Sequence, residues 1–257
     1  MLEDAIWGEI PQGFTKVRAG RGRWLVVRND KVNSISASVC RSGSHHEVSR
    51  FEGRERLRSL RLANGDTALI RAYRHGGVLR ACTGSVFWSW PPRPFRELSI
   101  TEEIRRRGVP TVETYGAYVE QLWGPFYRGW LVTRELTGAQ DLWQAFKSGF
   151  VQELGIDRIL RAVAESLRAL HREGVYHTDL NLKNILVCKE SGGVKGYIID
   201  FDKAKLMLGN LPPLLVRRNL SRLLRSVNKL DPARTHFLTS YWDHFLKFYY
   251  GVEAHAV

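Results

Sequence analysis

The chain has 257 residues, of which 44% are hydrophobic and 25% are charged. This composition is typical of a folded globular protein and argues against an intrinsically disordered chain. The formal net charge of +13 favours polyanionic partners such as nucleic acid, anionic lipid or a phosphorylated substrate, although an uncommitted basic surface has the same composition.

Two strands joined by a tight turn are predicted within residues 56–73. Segments 56–62 and 67–73 flank Asn64-Gly65, and the central positions of such a turn favour residues that tolerate positive φ. Before them, residues 1–50 predict no more than a partial strand layer around "RWLVVR".

A helix and a second strand pair follow. Residues 93–108 predict a helix that ends at Gly108, because glycine readily adopts the left-handed conformation that closes helices. Residues 115–121 and 129–134 predict two strands on either side of Gly124-Pro125.

The second half of the chain is predicted to be mainly helical. Apolar residues recur at helical spacing across 155–174 and again across 217–230. Between these helices, the short apolar runs 184–188 and 196–201 are separated by a turn-like Glu-Ser-Gly-Gly segment and predict a strand pair.

The pattern as a whole predicts an α+β fold with two lobes. The expected N-lobe, residues 1–138, is rich in strands, and the expected C-lobe, residues 139–257, is mainly helical. The pattern changes from strand-rich to mainly helical near residues 134–140, and this change marks the expected hinge.

Three polar residues accompany the second-half strand pair. Asp179 follows the long helix on a tight loop, Asn184 precedes one strand and Asp200 ends the other. If the strands pair as a hairpin, Asn184 and Asp200 lie side by side and offer the oxygen ligands that Mg²⁺ prefers. Asp179 is then placed to orient or deprotonate a hydroxyl, as in phosphoryl transfer. Each residue alone also fits a turn cap or an ordinary strand end, but their order and spacing together favour phosphoryl transfer.

A cation for the phosphates is expected upstream. Arg71 lies where protein kinases place the lysine of V-A-I-K, and a guanidinium binds phosphate through a bidentate fork. Glu97 is predicted to fix Arg71, in preference to Glu102 and Glu103, because Glu97 can face the sheet. Gly53 is the single glycine of the loop expected over the phosphates. The alternatives for these residues are an exposed strand arginine and a surface glutamate.

The segments "HTDLNLKN" (177–184) and "IIDFD" (198–202) resemble the catalytic and metal-binding motifs of the protein-kinase-like superfamily. Further segments resemble the lipopolysaccharide core kinases, which act on 3-deoxy-D-manno-octulosonic acid (Kdo) or heptose, and most closely the Kdo kinases. They run in family order: "LIRAYRHGG" (69–77), "RPFRELSITEEIRRRGVPTVE" (93–113), "LVTRELTGAQDL" (131–142), "HTDLNLKNILV" (177–187), "IIDFDKAK" (198–205) and "RRNLSRLLRSVNK" (217–229).

The resemblance implies a bilobal protein-kinase-like fold and an ATP-dependent kinase that phosphorylates a hydroxyl of Kdo in the lipopolysaccharide inner core. It implies Asp179 as catalytic base and Asn184 and Asp200 as Mg²⁺ ligands. It also implies nucleotide contacts at Gly53, Arg71, Glu97 and the backbone of Arg134 and Leu136. An A-P-E motif does not follow "DFD", which counts against a peptide substrate.

The expected partner is an anionic glycolipid, Kdo-lipid A, at the cytoplasmic face of the bacterial inner membrane. This substrate accounts for the basic charge without nucleic acid. No apolar run approaches the roughly 20 residues of a spanning helix, and no signal-peptide pattern is present, so a peripheral protein is expected. The three scattered cysteines predict free thiols rather than a zinc site or disulfides.

Other functions remain open at the level of sequence. The chain could be a heptose kinase of the lipopolysaccharide core, since heptose kinases share the superfamily motifs. It could be a catalytically inactive kinase fold that binds membranes or nucleic acid, because the glycine loop is poor and the V-A-I-K lysine is replaced. A small-molecule phosphotransferase or an atypical protein kinase is a further alternative.

Overall fold

The computed structural model describes residues 10–40, 58–62, 64–74 and 85–251, without the side chains of residues 37–40. The chain divides into two compact units. Unit 1 comprises residues 1–103 and 113–135, and unit 2 comprises residues 104–112 and 136–257.

Unit 1 is built on a six-stranded antiparallel sheet with strand order β1-β2-β5-β6-β4-β3. Its strands are β1 (Phe14–Gly20), β2 (Arg23–Arg28), β3 (Arg58–Arg61), β4 (Thr67–Ala72), β5 (Thr114–Trp123) and β6 (Phe126–Arg134). Its helices are α1 (Val32–Cys40) and α2 (Arg93–Arg106), of which the last residues belong to unit 2.

The predicted hairpin at Asn64-Gly65 is confirmed. Strands β3 and β4 pair with Arg61 opposite Thr67, and Gly65 has a φ of 86°, a value that favours glycine. Within the turn, the Leu62 amide donates to the Asp66 carbonyl at 2.8 Å. The second predicted strand pair is confirmed as β5 and β6, which extend beyond the predicted limits to meet at Trp123 and Phe126.

The sheet of unit 1 has a hydrophobic layer on each face. One layer contains residues of α2, such as Phe95 and Leu98, packed with Val119 and Leu131 of the sheet. The other includes Ile35 of α1. The predicted helix at 93–108 is therefore confirmed, whereas α1 was not predicted. The strands β1 and β2 are confirmed around "RWLVVR", where β2 pairs with β5 and extends the sheet.

Unit 2 is mainly helical. Its helices are α3 (Leu142–Lys147), α4 (Phe150–Leu154), α5 (Ile156–Arg172), α6 (Pro213–Leu230) and α7 (Thr239–Tyr250). Its strands are β7 (Gln140–Asp141), β8 (Val175–Tyr176), β9 (Ile185–Glu190), β10 (Gly193–Ile198) and β11 (Lys205–Leu206). The strands form two small sheets, ordered β10-β9-β7 and β11-β8.

The two long helices predicted in the second half are confirmed as α5 and α6. Helix α5 buries its apolar stripe, including Ile159, Val163 and Leu167, as expected for an amphipathic helix packed on a core. Helix α6 begins at Pro213, earlier than predicted, and buries Leu220 and Leu223.

Two features bear on the expected location and on the cysteines. Among the described residues, none of the helices combines the length and the apolar character that crossing a bilayer requires. Cys188 is a buried free thiol, and burial raises its pKa, so it is a poor nucleophile.

Candidate active site

The loop that carries Asp179 is held by its backbone. The Asp179 amide donates to His177 Nδ1 at 3.2 Å, and the Asp179 carbonyl accepts from the side-chain nitrogens of Asn181 and Asn184, both at 2.9 Å. The Asp179 side chain is exposed and makes no hydrogen bond or ion pair with the described residues. The loop is therefore positioned while the carboxylate stays available for a substrate.

His177 connects this loop to the segment that carries Asp200. It is almost fully buried, its Nε2 bonds to the Ile199 carbonyl at 3.0 Å, and its ring lies 5.2 Å from that of Phe201. Burial lowers the pKa of His177 and outweighs the opposing effects of the Ile199 carbonyl and Asp200. Because Nδ1 accepts from Asp179 and Nε2 faces a carbonyl, His177 is neutral and protonated on Nε2.

Asn184 and Asp200 lie at the same end of the β9–β10 hairpin. The predicted pairing is confirmed, with Ile185 opposite Ile198, and the Ile199 amide donates to the Asn184 carbonyl at 3.0 Å. Asp200 follows directly with a φ of 69°. Left-handed backbone at a non-glycine residue is uncommon and is often found at functional sites.

The side-chain oxygens at this end of the hairpin are suitable ligands for a magnesium ion. Asn184 uses its amide nitrogen on the Asp179 carbonyl, which leaves its oxygen for a ligand, and Asp200 adds a carboxylate. No group of three or more His, Cys, Asp and Glu side chains suited to a metal occurs within the described part of the chain. Mg²⁺ needs no such group, because it commonly takes one or two protein carboxylates and completes its shell with phosphate oxygens and water.

A buried polar network connects the Asp179 loop to the helices of unit 2. Asn219 of α6 is fully buried. Its amide nitrogen donates to the His177 carbonyl at 2.9 Å, and its oxygen accepts from His171 Nε2 at 3.1 Å. His171 Nδ1 in turn accepts from the Tyr249 hydroxyl at 2.7 Å. Helices α5, α6 and α7 are thus joined to the residue two before Asp179.

The sequence did not predict this network. Asn219 lies within the segment "RRNLSRLLRSVNK", whose resemblance to the family implies no role for the Asn219 side chain. One signal was present: a lone asparagine beside Leu220 on the apolar stripe of α6. A buried polar side chain needs hydrogen-bond partners, and those partners come from distant parts of the chain.

We expect His171 to make the stability of the fold sensitive to acid. Burial lowers the pKa of His171 from 6.5 to about 4, so the unfolded chain binds more protons than the folded chain between these pH values. The His171 contribution to the free energy of unfolding is therefore complete above pH 6.5 and is lost as the pH falls towards 4. A shift of this size corresponds to at most about 3 kcal/mol.

Denaturant unfolding measured from pH 7 down to pH 4 tests this expectation. The variant His171→Gln keeps a donor and an acceptor but does not titrate, so its stability should fall less steeply than that of the wild type. Parallel pH profiles for the two proteins would contradict the assignment.

In unit 1, Arg71 lies against Glu97 as predicted. Arg71 Nη2 and Glu97 Oε1 are 2.5 Å apart, and the Tyr73 hydroxyl donates to the other oxygen of the same carboxylate. Glu97 is buried, whereas the Arg71 side chain is 28% exposed. The guanidinium is therefore held in one direction with part of its surface open to a ligand. Binding of nucleotide by these residues stays a prediction.

Glu102, the alternative to Glu97 considered as the partner of Arg71, has a different role. It lies on the same helix and is also buried, but it pairs with Arg28 at 2.9 Å and accepts from the backbone amide of Thr114 at 3.1 Å. A surface position was the alternative for each of the weighed glutamates, and Glu102 does not adopt it. Its burial fastens α2 to β2 and to the start of β5.

The remaining predicted nucleotide contacts are less defined. The Arg134 side chain forms ion pairs with Asp66 and Glu113, and its backbone amide donates to the Glu113 carbonyl at 2.8 Å. The Leu136 carbonyl accepts from Ala139 at 3.0 Å. Gly53 lies outside the described residues. The roles of Arg134, Leu136 and Gly53 stay predictions.

Known proteins of one family are similar to this chain. A family model described as "Lipopolysaccharide kinase (Kdo/WaaP) family" matches residues 40–249. A protein from Vibrio vulnificus (strain YJ016), named 3-deoxy-D-manno-octulosonic acid kinase, is 32% identical over 171 residues, which is 63% of this chain and 66% of that protein. A protein of the same name from Mannheimia succiniciproducens is 31% identical over 196 residues, 75% of this chain and 79% of its own length.

The matched part of the chain thus spans just under two thirds of the Vibrio relative. A solved structure described as WaaP in complex with acyl carrier protein matches 88% of both chains with a TM-score of 0.55 and 17% sequence identity. This likeness confirms the mixed α+β fold. Because the family model covers most of the sequence, the chain belongs to the lipopolysaccharide kinase (Kdo/WaaP) family.

Proposed function

We propose that this protein is an ATP-dependent kinase that phosphorylates a hydroxyl of Kdo in the inner core of lipopolysaccharide. The observation that carries the proposal is the Asp179 loop, in which an exposed carboxylate that makes no hydrogen bond or ion pair with the described residues is held beside Asn184. Family membership and the names of the curated relatives support the same reaction class and the same sugar.

In this proposal Asp179 acts on the acceptor hydroxyl. The carboxylate accepts the hydroxyl proton while the sugar oxygen forms a bond to the γ-phosphorus of ATP, and the bond from that phosphorus to the ADP oxygen breaks. ADP leaves with the electron pair of the broken bond. The loop contributes mainly by positioning, since the protein has little covalent chemistry to perform in phosphoryl transfer.

The phosphates are proposed to contact Arg71, oriented by Glu97. The Asn184 oxygen and the Asp200 carboxylate would hold Mg²⁺, which when bound neutralises charge on the phosphates. Backbone groups near Arg134 and Leu136 are proposed to hold the adenine, and Gly53 to lie in the loop over the phosphates. The acceptor is an anionic glycolipid, and we propose that the protein reaches it as a peripheral protein at the cytoplasmic face of the inner membrane.

The acceptor can be tested with purified protein and labelled ATP. With Mg²⁺ present, we expect label on Kdo when Kdo-lipid A is offered, and no additional site of labelling when heptose is added to the acceptor. The position of the label is read by mild acid cleavage of Kdo followed by mass spectrometry. Label found only on heptose would show that heptose, and not Kdo, is the acceptor sugar. The proposed mechanism of transfer would then stay unchanged. Absence of both transfer and Mg²⁺-dependent nucleotide binding would favour the inactive binding module instead.

A further inference from the structure

Three tryptophans of unit 1 project into solvent from one end of its sheet. Trp88, Trp90 and Trp123 are exposed by 74%, 57% and 62%. Among the described residues of unit 1, they are the large hydrophobic side chains with the greatest exposure. Exposed apolar side chains that cluster rather than scatter commonly mark an interaction site.

Backbone pairing brings Trp88 and Trp123 to the same turn although they come from separate segments, and Trp90 follows two residues after Trp88. Trp123 pairs with Phe126 where β5 turns into β6, and their rings lie 5.3 Å apart. Phe87 forms an antiparallel bridge with Tyr127, with both backbone hydrogen bonds made, at 2.8 and 2.9 Å. This register sets Trp88 across from Phe126, at the same turn.

The segment that carries Trp88 and Trp90 is fastened at several points. The Ser89 and Tyr127 hydroxyls are 2.5 Å apart, and the Arg93 amide donates to the same tyrosine oxygen at 3.0 Å. Pro94 packs so closely on Gly129 of β6 that a side chain at that glycine would collide with it. The backbone under the indoles is therefore fixed, and the indoles are presented without a cost of ordering a loop.

Positive charge surrounds the same end of the sheet. The turn between β1 and β2 lies beside β5, since the Gln121 amide donates to the Gly22 carbonyl at 2.7 Å. Residues 18–23 and 120–128 contain the arginines Arg18, Arg21, Arg23 and Arg128 and the single carboxylate Glu120. Glu120 is already paired with Arg23 at 2.9 Å.

From these observations we propose that Trp88, Trp90, Trp123 and Phe126, with Arg21 and Arg128 beside them, form a docking surface for an anionic lipid bilayer. We name this set of six residues the tryptophan end. Indole rings prefer the headgroup zone of a membrane, and arginines near an anionic surface add electrostatic attraction. The surface explains how a protein with the proposed glycolipid substrate reaches the membrane, and in that respect it rests on the proposed function.

The exposure of the indoles favours a bilayer over a sugar or peptide site. Sites for small molecules are concave and cover the side chains that line them. Each of these three indoles is more than half exposed and stands on a turn or an extended segment. Such side chains can enter a headgroup layer without any rearrangement of the protein backbone.

The test uses the full chain and vesicles that contain neither nucleotide nor lipopolysaccharide precursor. Vesicles of phosphatidylcholine alone are compared with vesicles that also contain phosphatidylglycerol, by co-sedimentation and by quenching of tryptophan emission with brominated phosphatidylcholine. We expect binding to the mixed vesicles with quenching, weakened by salt.

Two variants and one matched control decide the outcome. The combined substitutions Trp88→Ser, Trp90→Ser and Trp123→Ser should lower vesicle binding about tenfold or more. They should also abolish the part of the quenching by brominated phosphatidylcholine that comes from these three indoles. Combined Arg21→Glu and Arg128→Glu should weaken binding about tenfold, and only on anionic vesicles. The control, Leu208→Ser with Leu214→Ser, removes two exposed leucines of unit 2 and should bind like the wild type.

Activity on a deacylated, water-soluble acceptor separates this inference from the proposed function. The tryptophan variant should keep the wild-type rate on that acceptor. Vesicle binding that is unchanged in the tryptophan variant overturns the docking surface, whatever the kinase assay shows. If vesicle binding is unchanged but the phosphorylation rate on the soluble acceptor is lost, the indoles instead bind the acceptor sugar. A protein that binds vesicles but phosphorylates no acceptor would keep the surface and refute the proposed function.

Discussion

Replacing Asp179 by asparagine should lower kcat by roughly 10²–10⁴-fold, the range that a positioned general base contributes. The substitution should leave the fold intact. The Asp179 side chain is exposed and contacts no described residue by hydrogen bond or ion pair. The bonds that hold the loop are made by its backbone amide and carbonyl, which asparagine retains. We therefore expect a change in the free energy of unfolding within about 0.5 kcal/mol.

The measurement is the rate of phosphate transfer at saturating ATP and acceptor, alongside thermal unfolding of both proteins. Asp157→Asn serves as the matched control, because Asp157 is also an exposed carboxylate of unit 2 and, among the described residues, pairs only with His244 at 3.3 Å. The control should keep the wild-type rate. An Asp179→Asn enzyme with wild-type kcat would remove Asp179 from the role of base.

The second large effect is expected at Glu97, with Glu102 as an internal comparison. Both glutamates are buried on α2 and both pair with an arginine. Of these two glutamates, Glu97 is the one that forms an ion pair with Arg71. Glu97→Gln should therefore lower kcat/KM for ATP by about 10²-fold, because a small displacement of a positioning group has effects of this order. Glu102→Gln should leave kcat/KM within about threefold of the wild type.

Stability should not distinguish the two glutamate variants. Each substitution removes a buried charge partner, and each should lower the free energy of unfolding by about 1–3 kcal/mol. Denaturant titration and ATP kinetics on the same preparations separate a lost role in nucleotide binding from a general loss of stability. If both variants lose the same fraction of activity, Glu97 has a structural role alone and the phosphate-binding role of Arg71 loses its support.

Local patterns predicted the parts of this protein that depend on a few neighbouring residues. The Asn64-Gly65 turn, the helix α5 and the β9–β10 hairpin each follow from residue types and spacings within about twenty positions. The same holds for the candidate catalytic residues. Asp179, Asn184 and Asp200 were recognised because loop, strand and turn follow each other at short, regular distances.

Features that depend on distant contacts were missed. Helices α3, α4 and α7 were not predicted, nor was the pairing of the buried Glu102 with Arg28, 74 positions away. The Asn219 network joins residues of α5, α6 and α7. A polar residue on an apolar stripe indicates that a partner exists, but the identity of that partner depends on which helices pack together.

By itself, the sequence determined the α+β class, the order of the main elements and the residue types of a phosphoryl-transfer site, because hydrophobic period and turn chemistry are local properties. Only the tertiary structure decided which glutamate meets Arg71 and what holds the Asp179 loop. It also decided that Trp88, Trp90 and Trp123 share one end of a sheet. These outcomes depend on strand register and helix packing, which arise from contacts between segments that lie far apart in the chain.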